Sequence, residues 1–411
     1  MSEAIVLGAG MVGVSAALSL RDRGWNVTLI DRKPPGQETS FGNAGIIQSE
    51  SVEPYAMPRG IRDLFDIATF RSNDVYYAFR ELPLHVSSLL RYWWYSESGR
   101  HREIARHYAT LIARAAGTHE PIIRRAGADN LIQRSGYRTL YRDGAKFDEA
   151  LARAKDIERE FGTRFRALDP AETRKEEPAL TNAGLGTIHW LEPWTAADPG
   201  ALVTAYAELF EREGGQFLIG DAESLKALPS GKGWSVRTRA GTVEAEHVVV
   251  ALGVWSRGLL ERFGARFPMV LKRGYHAHYS SPVALNMTLM DSDRGYVMAP
   301  MRAGTRITTG AHLARPGQAP VYRQLERAEA SANELLSLGN RVEQEPWSGT
   351  RPCMPDMLPV IGPVGGQKGL WANFGHGHQG FTLGPASAEL LTAMILGEKP
   401  PVDPAPFRPG R

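Results

Sequence analysis

The feature that most constrains the fold is the pattern of the first 31 residues, where two short apolar runs flank a glycine-rich turn. The first run covers residues 4–7, and the turn that follows contains three glycines, Gly8, Gly10 and Gly13. A helical pattern comes next, and a second apolar run over residues 27–30 stops at an acidic residue. The order strand, turn, helix, strand and acid is typical of a βαβ unit that binds a dinucleotide.

Each glycine of the turn has its own physical task. Gly8 permits the tight turn, Gly10 lets the backbone approach a pyrophosphate, and Gly13 lets the helix pack closely on the strand. The first helical residues, Met11 and Val12, offer unpaired N–H groups and the positive end of the helix dipole to the phosphates. The turn therefore predicts a phosphate site at the start of the chain.

The residues after the second run extend this site. Asp31 is placed to accept hydrogen bonds from ribose hydroxyls, which disfavours a 2′-phosphate and hence NADP, whereas the motif alone leaves NAD and FAD open. The loop 38–45 is rich in small residues and hydroxyls, which is expected where backbone groups line a long dinucleotide. The candidate contacts of this part of the chain are Asp31, Arg32, Ser40, Asn43, Ala44 and Gly45, joined by Ala251, Gly253 and Trp255 after a later buried strand.

The C-terminal third contains a segment crowded with proline and glycine. Residues 347–362 predict a rigid, irregular loop that ends in a strand at 358–361. Arg351 lies between Thr350 and Pro352, so its backbone direction is restricted, which suits a guanidinium that binds a carboxylate with two hydrogen bonds. An ordinary surface arginine is the alternative.

A second glycine-rich turn follows a predicted strand at 370–374. It leads into a helix from about 385 to 395 and so forms a second site for negative charge. Its candidate cofactor contacts are Gly375, His376, Gly377, His378, Gly380 and Thr382. His376 and His378 have the spacing of a metal pair, but no suitable third ligand is near them in sequence, so no metal is expected. His276 and His278 have strand spacing and are expected on one face of a sheet.

The bulk composition excludes several classes of protein. The net charge of +3 is too small to indicate a nucleic-acid partner. The one cysteine, Cys353, excludes an internal disulfide and is expected to be a small buried hydrophobe. The first apolar run begins without a basic leader, and no apolar stretch is long enough to span a membrane. We therefore expect a cytoplasmic protein that at most contacts the surface of the inner membrane.

Taken together, these stretches resemble the D-amino-acid oxidase superfamily of FAD-dependent oxidoreductases, and within it the bacterial D-amino-acid dehydrogenase and D-hydroxyproline dehydrogenase group. The resemblance covers nearly the whole chain and implies FAD as the cofactor. It also implies an α/β protein with a Rossmann-type FAD-binding domain and an inserted α+β substrate domain built on an antiparallel sheet. The expected division assigns residues 1–61, 140–265 and 346–411 to the FAD domain, and 62–139 and 266–345 to the substrate domain.

The resemblance also implies roles for particular side chains. Arg351 and Tyr296 are expected to bind the substrate carboxylate, which places the Cα–H bond against the flavin N5 for hydride transfer and leaves an imine. Tyr275 lies either in the substrate cavity or on an edge strand as a packing aromatic. Glu50 and His378 are further candidate substrate contacts.

The expected substrate is an amino acid, above all a D-amino acid or a D-proline derivative such as hydroxyproline, with a quinone or another electron acceptor. One alternative is a flavoprotein subunit of a heteromeric opine or hydroxyproline dehydrogenase. Another is FAD-dependent modification of a tRNA-linked amine, which the small net charge disfavours. A plain NAD-binding regulator would leave the C-terminal third unexplained.

Residues 62–135 predict a mostly helical insertion with several arginines and aromatic residues. Two interpretations remain open. The insertion is either a surface for an anionic membrane or partner subunit, or a helical lid whose aromatics pack on the sheet beneath solvated arginines.

Overall fold

The computed structural model describes residues 2–411, in which two large sheets and one small sheet are flanked by helices. The strands are β1 (Glu3–Leu7), β2 (Asn26–Asp31), β3 (Ile46–Ile47), β4 (Val75–Tyr77), β5 (Ile132–Gln133), β6 (Tyr137–Tyr141), β7 (Phe165–Leu168), β8 (Gly186–Trp190), β9 (Trp194–Ala196), β10 (Gln216–Ala227), β11 (Trp234–Thr238), β12 (Gly241–Ala245), β13 (His247–Val250), β14 (Val270–Tyr279), β15 (Leu289–Asp291), β16 (Tyr296–Met301), β17 (Gly304–Thr309), β18 (Ala311–Leu313), β19 (Trp347–Cys353), β20 (Val360–Pro363) and β21 (Leu370–Phe374). The helices are α1 (Met11–Arg21), α2 (Ile61–Ala68), α3 (Leu82–Tyr95), α4 (Ser98–Ile112), α5 (Ala115–Ala126), α6 (Gly144–Phe161), α7 (Pro170–Glu176), α8 (Pro199–Arg212), α9 (Ser256–Glu261), α10 (Arg323–Ala332) and α11 (Gly380–Leu396).

The first large sheet has the strand order β12-β11-β10-β2-β1-β13-β21-β20. Its central strands, from β10 to β21, all run parallel. After their first residues, strands β1 and β13 are continuous apolar runs that are almost completely buried, as expected for a parallel sheet covered on both faces. The helices α1, α8 and α11 pack on one another beside it. The Rossmann-type prediction is confirmed.

The second large sheet is mostly antiparallel and has the order β4-β18-β14-β17-β16-β15-β6-β8-β7, with β19 paired to β14. The segments around residues 269–279, 296–300 and 306–310 form its strands β14, β16 and β17. Strands β7, β8 and β19 also belong to it, whereas the sequence assigned residues 140–265 and 346–411 to the FAD domain; β6 belongs to it too and crosses the expected boundary after residue 139. The chain crosses between the sheets more often than local patterns indicate, because strand pairing depends on distant partners.

The segment 347–353 differs from its prediction. It was expected to be an irregular loop, yet it forms β19 and pairs with β14 through the register Lys272↔Arg351 and Leu271↔Pro352. A proline is tolerated there because β19 pairs with only one neighbour, so the missing N–H faces no second strand.

The helical insertion is confirmed as α2 to α5, but its two halves pack differently. Helices α4 and α5 contribute Ile104, Leu111 and Ile123 to the core that α1, α8 and α11 share. Helices α2 and α3 pack instead against the second sheet, where Leu89 meets Val270 in a smaller cluster. None of the described helices combines the length and the apolar character needed to span a bilayer.

Candidate functional site

The turn between β1 and α1 has no room for side chains. Gly8 adopts φ +107°, and a Cβ there would overlap the carbonyl group of Ala251 at the end of β13. A Cβ at Gly13 would overlap the carbonyl oxygen of Gly8. Glycine at both positions therefore lets α1 begin close against β1, with its free N–H groups and positive dipole end at the carboxyl edge of the sheet.

Asp31 and Ser40 meet the start of α1 from separate segments. Asp31 ends β2, and its Oδ2 accepts a 2.7 Å hydrogen bond from the N–H of Ala9. Ser40 Oγ accepts a 3.0 Å hydrogen bond from the N–H of Met11. The acid and the hydroxyl are thus fixed by the backbone of the glycine turn itself.

A cavity of about 640 Å³ begins at this edge and extends to the second sheet. Most of the cofactor contacts predicted from the sequence line this cavity. They are Gly8, Gly10, Met11, Val12, Asp31, Arg32, Ser40, Asn43, Ala44, Ala251, Gly253, Trp255, Gly375, His376, Gly377, His378 and Gly380. Three other candidates shape the walls without lining the cavity. Gly13 packs α1 on β1, and Gly45 adopts φ +78° against the carbonyl of Ala196. Thr382 donates a 3.2 Å hydrogen bond to the carbonyl of Ile46.

The loop 39–45 is held in place by a residue that the sequence did not single out. Arg306 lies on β17, is 3% exposed, and donates to the carbonyls of Phe41 at 2.9 Å and Asn43 at 2.6 Å. Burial lowers the pKa of Arg306 to about 10, so the guanidinium is still charged at neutral pH. These charge-assisted bonds fix one wall of the cavity.

His276 and His278 do lie close together on β14, and with Glu343 they form a group of potential metal ligands. However, Arg306 Nε donates a 2.9 Å hydrogen bond to His278 Nε2, and Glu343 takes the other ring nitrogen. With both nitrogens engaged, the His278 ring is positioned as an acceptor for Arg306 and not as a metal ligand.

The second glycine-rich turn brings another helix N-terminus to the cavity. Residues 375–379 connect β21 to α11, whose first residues, Gly380 and Phe381, line the cavity. Among the described residues, neither amide atom of the fully buried Asn373 has a hydrogen-bond partner, and His376 Nε2 has none either. Burial lowers the pKa of His376 to about 3, so its ring is neutral. Such unpartnered groups are expected where a polar ligand binds.

Arg351 lies on β19 and lines the part of the cavity that the second sheet forms. Its Nη1 donates to the carbonyl of Gly310 at 2.8 Å and its Nη2 to that of Thr309 at 3.3 Å. A Cβ at Gly274 would lie 2.5 Å from Nη1, so the guanidinium packs directly against β14. No carboxylate of the described residues lies within 4.0 Å of it. Arg351 is therefore an enclosed cation without an anionic partner.

Lys272 lies directly opposite Arg351 in the β14–β19 register, so both side chains are on one face of the sheet. Its Nζ donates to the Tyr92 hydroxyl at 3.1 Å and lies 4.4 Å from the centroid of that ring. Burial by itself would lower the pKa of Lys272, but attraction to the Tyr92 hydroxyl and the Cys353 thiol outweighs burial and raises the pKa. Lys272 also has no carboxylate within 4.0 Å in the described part of the chain.

Tyr55 and His378 complete this end of the cavity, with their ring centroids 5.0 Å apart. Tyr55 is 46% exposed, but it lines the cavity, and the surrounding protein raises its pKa to about 12. The charge of Glu50 adds to that rise, whereas the charge of Arg351 opposes it. The pKa of His378 lies well below its usual value because of burial, reinforced by Arg351 and Lys272. Both Tyr55 and His378 are therefore neutral near pH 7.

Neither tyrosine expected from the sequence has its hydroxyl at Arg351. Tyr296 lines the cavity, but its hydroxyl lies 3.4 Å from Arg142 Nη2 and 3.5 Å from Ser331 Oγ. Tyr275 is fully buried on the interior strand β14, where His312 Nδ1 lies 2.7 Å from its hydroxyl. Tyr275 is neither a cavity residue nor an edge-strand aromatic. The strand pairing, which the sequence does not display, directs these hydroxyls into the core.

Glu50 lies behind the cavity wall. It is 5% exposed, and its Oε1 accepts hydrogen bonds from Tyr137 at 2.9 Å and Gln48 at 2.5 Å. Burial raises the pKa of Glu50, against the opposing effect of these hydrogen bonds. Tyr137 and Gln48 line the cavity and Glu50 does not, so any influence of Glu50 on a ligand passes through them.

Comparison with known proteins assigns this arrangement to a family. The family model described as FAD dependent oxidoreductase matches residues 3–394. The chain belongs to this family. The D-amino-acid oxidase of Bradyrhizobium diazoefficiens is 30% identical to it over 99% of this chain and 98% of its own length. The D-amino acid dehydrogenase of Cereibacter sphaeroides is 30% identical over 98% and 93%.

A solved structure supports the fold of this FAD-dependent oxidoreductase. Glycine oxidase from Geobacillus kaustophilus superposes with a TM-score of 0.75, covers 100% of this chain and 99% of its own, and is 21% identical. At that identity the likeness concerns the fold alone. The protein is thus a mixed α/β flavoenzyme with FAD as its cofactor.

The residues of the cavity fit FAD. The N-terminus of α1 and the end of β2 at Asp31 offer backbone N–H groups for a pyrophosphate and a carboxylate for a ribose. The unpartnered amide of Asn373 and the N-terminus of α11 offer polar groups further along the same cavity. Arg32 lies over the Trp255 ring, 4.3 Å from its centroid, and closes the side near Asp31.

Three residues of the candidate site, Arg306, Tyr55 and Lys272, were not predicted from the sequence. Lys272 and Arg306 lie on strands, and only the pairing of β14 with β19 and β17 brings them to the cavity. Tyr55 lies in a segment without helix or strand, between β3 and α2. One signal was available for Lys272: a lysine on an otherwise buried strand is rarely left without a function or a partner.

Proposed function

We propose that this flavoenzyme oxidises the Cα–N bond of a D-amino acid, or of a D-proline derivative such as hydroxyproline, to an imine. The observation that carries the proposal is Arg351, an enclosed guanidinium without an anionic partner among the described residues, which lines the FAD cavity on the side of the second sheet. The names of two relatives at 30% identity support the D-configuration. When bound, FAD supplies the acceptor for the hydride that leaves Cα.

Arg351 and Tyr55 would hold the substrate carboxylate. Two Nη donors of Arg351 already bind the carbonyls of Thr309 and Gly310, which fixes the plane of the guanidinium before a substrate arrives. The neutral Tyr55 hydroxyl adds a donor to the same anion. A preset guanidinium orients a planar carboxylate better than a flexible ammonium does.

The pocket also suits the neutral amine that hydride transfer requires. His378 is neutral because burial and two nearby cations depress its pKa, so it can accept a hydrogen bond from an amine. Tyr137 lines the cavity and donates a hydrogen bond to Glu50, so this buried acid lies directly behind the cavity wall. No base acting on carbon is needed, and the residues at this end bind and orient the substrate.

We further infer that electrons leave to a quinone and that the protein contacts an anionic membrane surface. The support is an apolar helix surface, defined by the exposed residues Ile61, Phe65, Phe79, Leu84, Val86, Leu90, Trp93 and Trp94. On α3, positions 86, 90, 93 and 94 follow helical spacing on the outer face, which they share with the exposed Ser87 and Arg91. Arg59 and Arg100 each lie 3.7 Å from the centroid of an exposed tryptophan, Trp93 and Trp94 respectively. Apolar side chains with interleaved arginines are typical of helices that lie in a membrane interface.

The same helices also form a wall of the cavity through Leu64, Ile67, Leu89 and Tyr92. A quinone dissolved in the membrane would then be separated from the cavity only by α2 and α3. This geometry favours a dehydrogenase over an oxidase.

Sedimentation with vesicles tests the membrane contact. We expect binding to vesicles that contain phosphatidylglycerol, and its loss in a Leu90→Glu, Trp94→Glu double variant. Leu185 is 51% exposed on another part of the molecule, so Leu185→Glu is the matched control and should bind normally. If the wild type ignores anionic vesicles, the surface serves another purpose, such as binding the partner subunit of a heteromeric dehydrogenase. In that case purified protein should gain activity only when the partner is added.

Anaerobic bleaching of the bound flavin tests the reaction itself. D-Amino acids, D-hydroxyproline among them, should remove the yellow absorbance faster than their L-enantiomers, and a quinone analogue should restore it faster than air does. Fast reoxidation by air with peroxide release would contradict the dehydrogenase assignment. We also expect the flavin to be non-covalent, because Cys353 does not match the position at which some relatives attach it. Acid precipitation should leave the colour in the supernatant.

A further inference from the structure

We propose that the substrate carries a second carboxylate, held by Lys272 beside Arg351. The enzyme would then act on dicarboxylic amines, either acidic amino acids or secondary amines with two carboxylate arms. This inference rests on the proposed function and defines its substrate class. It starts from the charge of the cavity and not from its shape.

Lys272 and Arg351 form a fixed pair of cations. They are opposite residues on the antiparallel strands β14 and β19, where Cβ atoms are about 5 Å apart and side chains share a face. Both line the cavity. The backbone bonds of Arg351 to Thr309 and Gly310 and the contact of Lys272 with Tyr92 hold the two charges in place.

Neither charge is balanced by the described protein. Some enclosed arginines of the chain have acidic partners, whereas Arg273 and Arg306, which do not line the cavity, have none among the described residues and instead bind backbone carbonyls. Arg142 lies 2.7 Å from the fully buried Asp291, and Arg138 is paired with Glu176. Lys272 and Arg351 have no carboxylate within 4.0 Å among the described residues. Two adjacent cations in a protected cavity repel each other, and one monocarboxylate would compensate only one of them.

The contact with Tyr92 does not remove the need for an anion. The Tyr92 hydroxyl donates to the carbonyl of Tyr55 and accepts one hydrogen bond from Lys272 Nζ. An ammonium has three donors, and this is the one hydrogen bond that Nζ makes to the described residues. The ring and the hydroxyl fix the direction of the ammonium, while its charge remains available to a ligand.

A dicarboxylic amine satisfies both cations in one geometry. Its α-carboxylate pairs with Arg351 and its second carboxylate with Lys272. The reaction stays the same: the Cα–H bond breaks, its electron pair passes as hydride to FAD, the C=N bond forms, and the amine proton passes to water. The neighbouring cations thus select among substrates without changing the chemistry.

Matched substrate pairs test this on the holoenzyme. Aspartate against asparagine and glutamate against glutamine differ in charge but hardly in shape. We expect kcat/KM to favour the acid by about 30-fold or more in the active enantiomer, the size of a desolvated charge pair. Lys272→Met should reduce this ratio at least tenfold, and Lys272→Arg should restore part of it. Lys155 is exposed on α6, so Lys155→Met is the matched control and should keep the ratio.

A binding measurement keeps the test independent of turnover. Malonate and acetate can be titrated against the flavin spectrum of wild type and variants. Malonate should bind the wild type at least tenfold more tightly, and Lys272→Met should remove that advantage. The proposal is overturned if the amides are turned over as well as the acids, or if Lys272→Met weakens acids and amides equally. If no amino acid bleaches the flavin and malonate still binds more tightly, the proposed function fails and the dianion site stands.

Discussion

The two ends of the cavity recognise their ligands by different means. At the βαβ end, recognition is built from backbone: Gly8 and Gly13 remove side chains, and the start of α1 presents N–H groups. At the other end it is built from charged side chains, Arg351 and Lys272, placed by strand pairing. The first end depends on the absence of side chains, and the second depends on the presence of charged side chains. Substitutions at the first end should therefore reduce flavin content, whereas substitutions at the second end should reduce activity while the flavin stays bound.

The largest effect is expected from Gly13→Val. The added side chain overlaps the carbonyl of Gly8, so α1 must move away from β1 and the phosphate site is lost. We expect flavin content below a tenth of wild type, measured from the absorbance ratio of the purified protein. Gly117 lies on α5 with open space around its Cβ position, so Gly117→Ala should keep its flavin. Normal flavin content in Gly13→Val would contradict a backbone-built cradle.

Arg351→Ala should abolish most activity while the flavin stays bound. An unpaired, desolvated substrate carboxylate costs about 2–5 kcal/mol, so kcat/KM should fall by about thirty- to several-thousand-fold. Arg351→Lys keeps the charge without the planar fork and should recover only part. Amines that lack a carboxylate should lose far less.

A structural role for Arg351 predicts the opposite pattern. If the hydrogen bonds of Arg351 to Thr309 and Gly310 only stabilise the strands, the variant would lose flavin and thermal stability. Its kcat/KM would then fall equally for every substrate. Flavin content and thermal melting of Arg351→Ala separate the two cases.

A pair of tyrosine variants sharpens the substrate end. Tyr55→Phe removes a donor to the bound carboxylate and should lower kcat/KM by about 10- to 100-fold. Tyr296→Phe loses only the long contacts to Arg142 and Ser331, so we expect activity within about threefold of wild type and a slightly lower melting temperature. The reverse ranking would restore the sequence-based assignment of Tyr296.

The smallest effect concerns acid stability, to which the buried neutral histidines of the second sheet and of the turn 375–379 should contribute. Burial lowers the pKa of His276 to about 2, of His376 to about 3 and of His312 to about 4. As pH falls below about 6.5, these histidines are protonated in the unfolded chain but stay neutral in the folded chain. The free energy of unfolding therefore decreases. The melting temperature at fixed FAD concentration should fall from pH 7.5 to pH 5. His312→Gln should show a shallower decrease, and an unchanged slope would contradict its share.

Much of the cofactor end was predictable from sequence, because its determinants are local. Gly8 and Gly13 are five residues apart, and the next strand ends at Asp31, so one short segment specifies turn, helix start and acid. The glycine turn at 375–380 was found in the same way. The residues of both glycine turns were predicted as cofactor contacts, and the structure places most of these residues along one cavity.

The substrate end depended on contacts between residues far apart in sequence. Arg351 was identified from its motif, but its segment was predicted as a loop because it is rich in proline and glycine. That prediction was wrong, because proline and glycine are compatible with an edge strand. The register Lys272↔Arg351 joins residues whose numbers differ by about 80, and no local pattern reports that pairing. The Tyr296 hydroxyl is directed toward Arg142 and Ser331, whereas Tyr55 lines the cavity beside His378, and Tyr55 is therefore the tyrosine that we propose for the substrate carboxylate. The sequence by itself determined the dinucleotide turn and the fold class, since these follow from short-range patterns, and its family resemblance indicated FAD and Arg351. Tertiary structure alone decided which charges meet in the cavity, because cross-strand register and burial are properties of the whole chain.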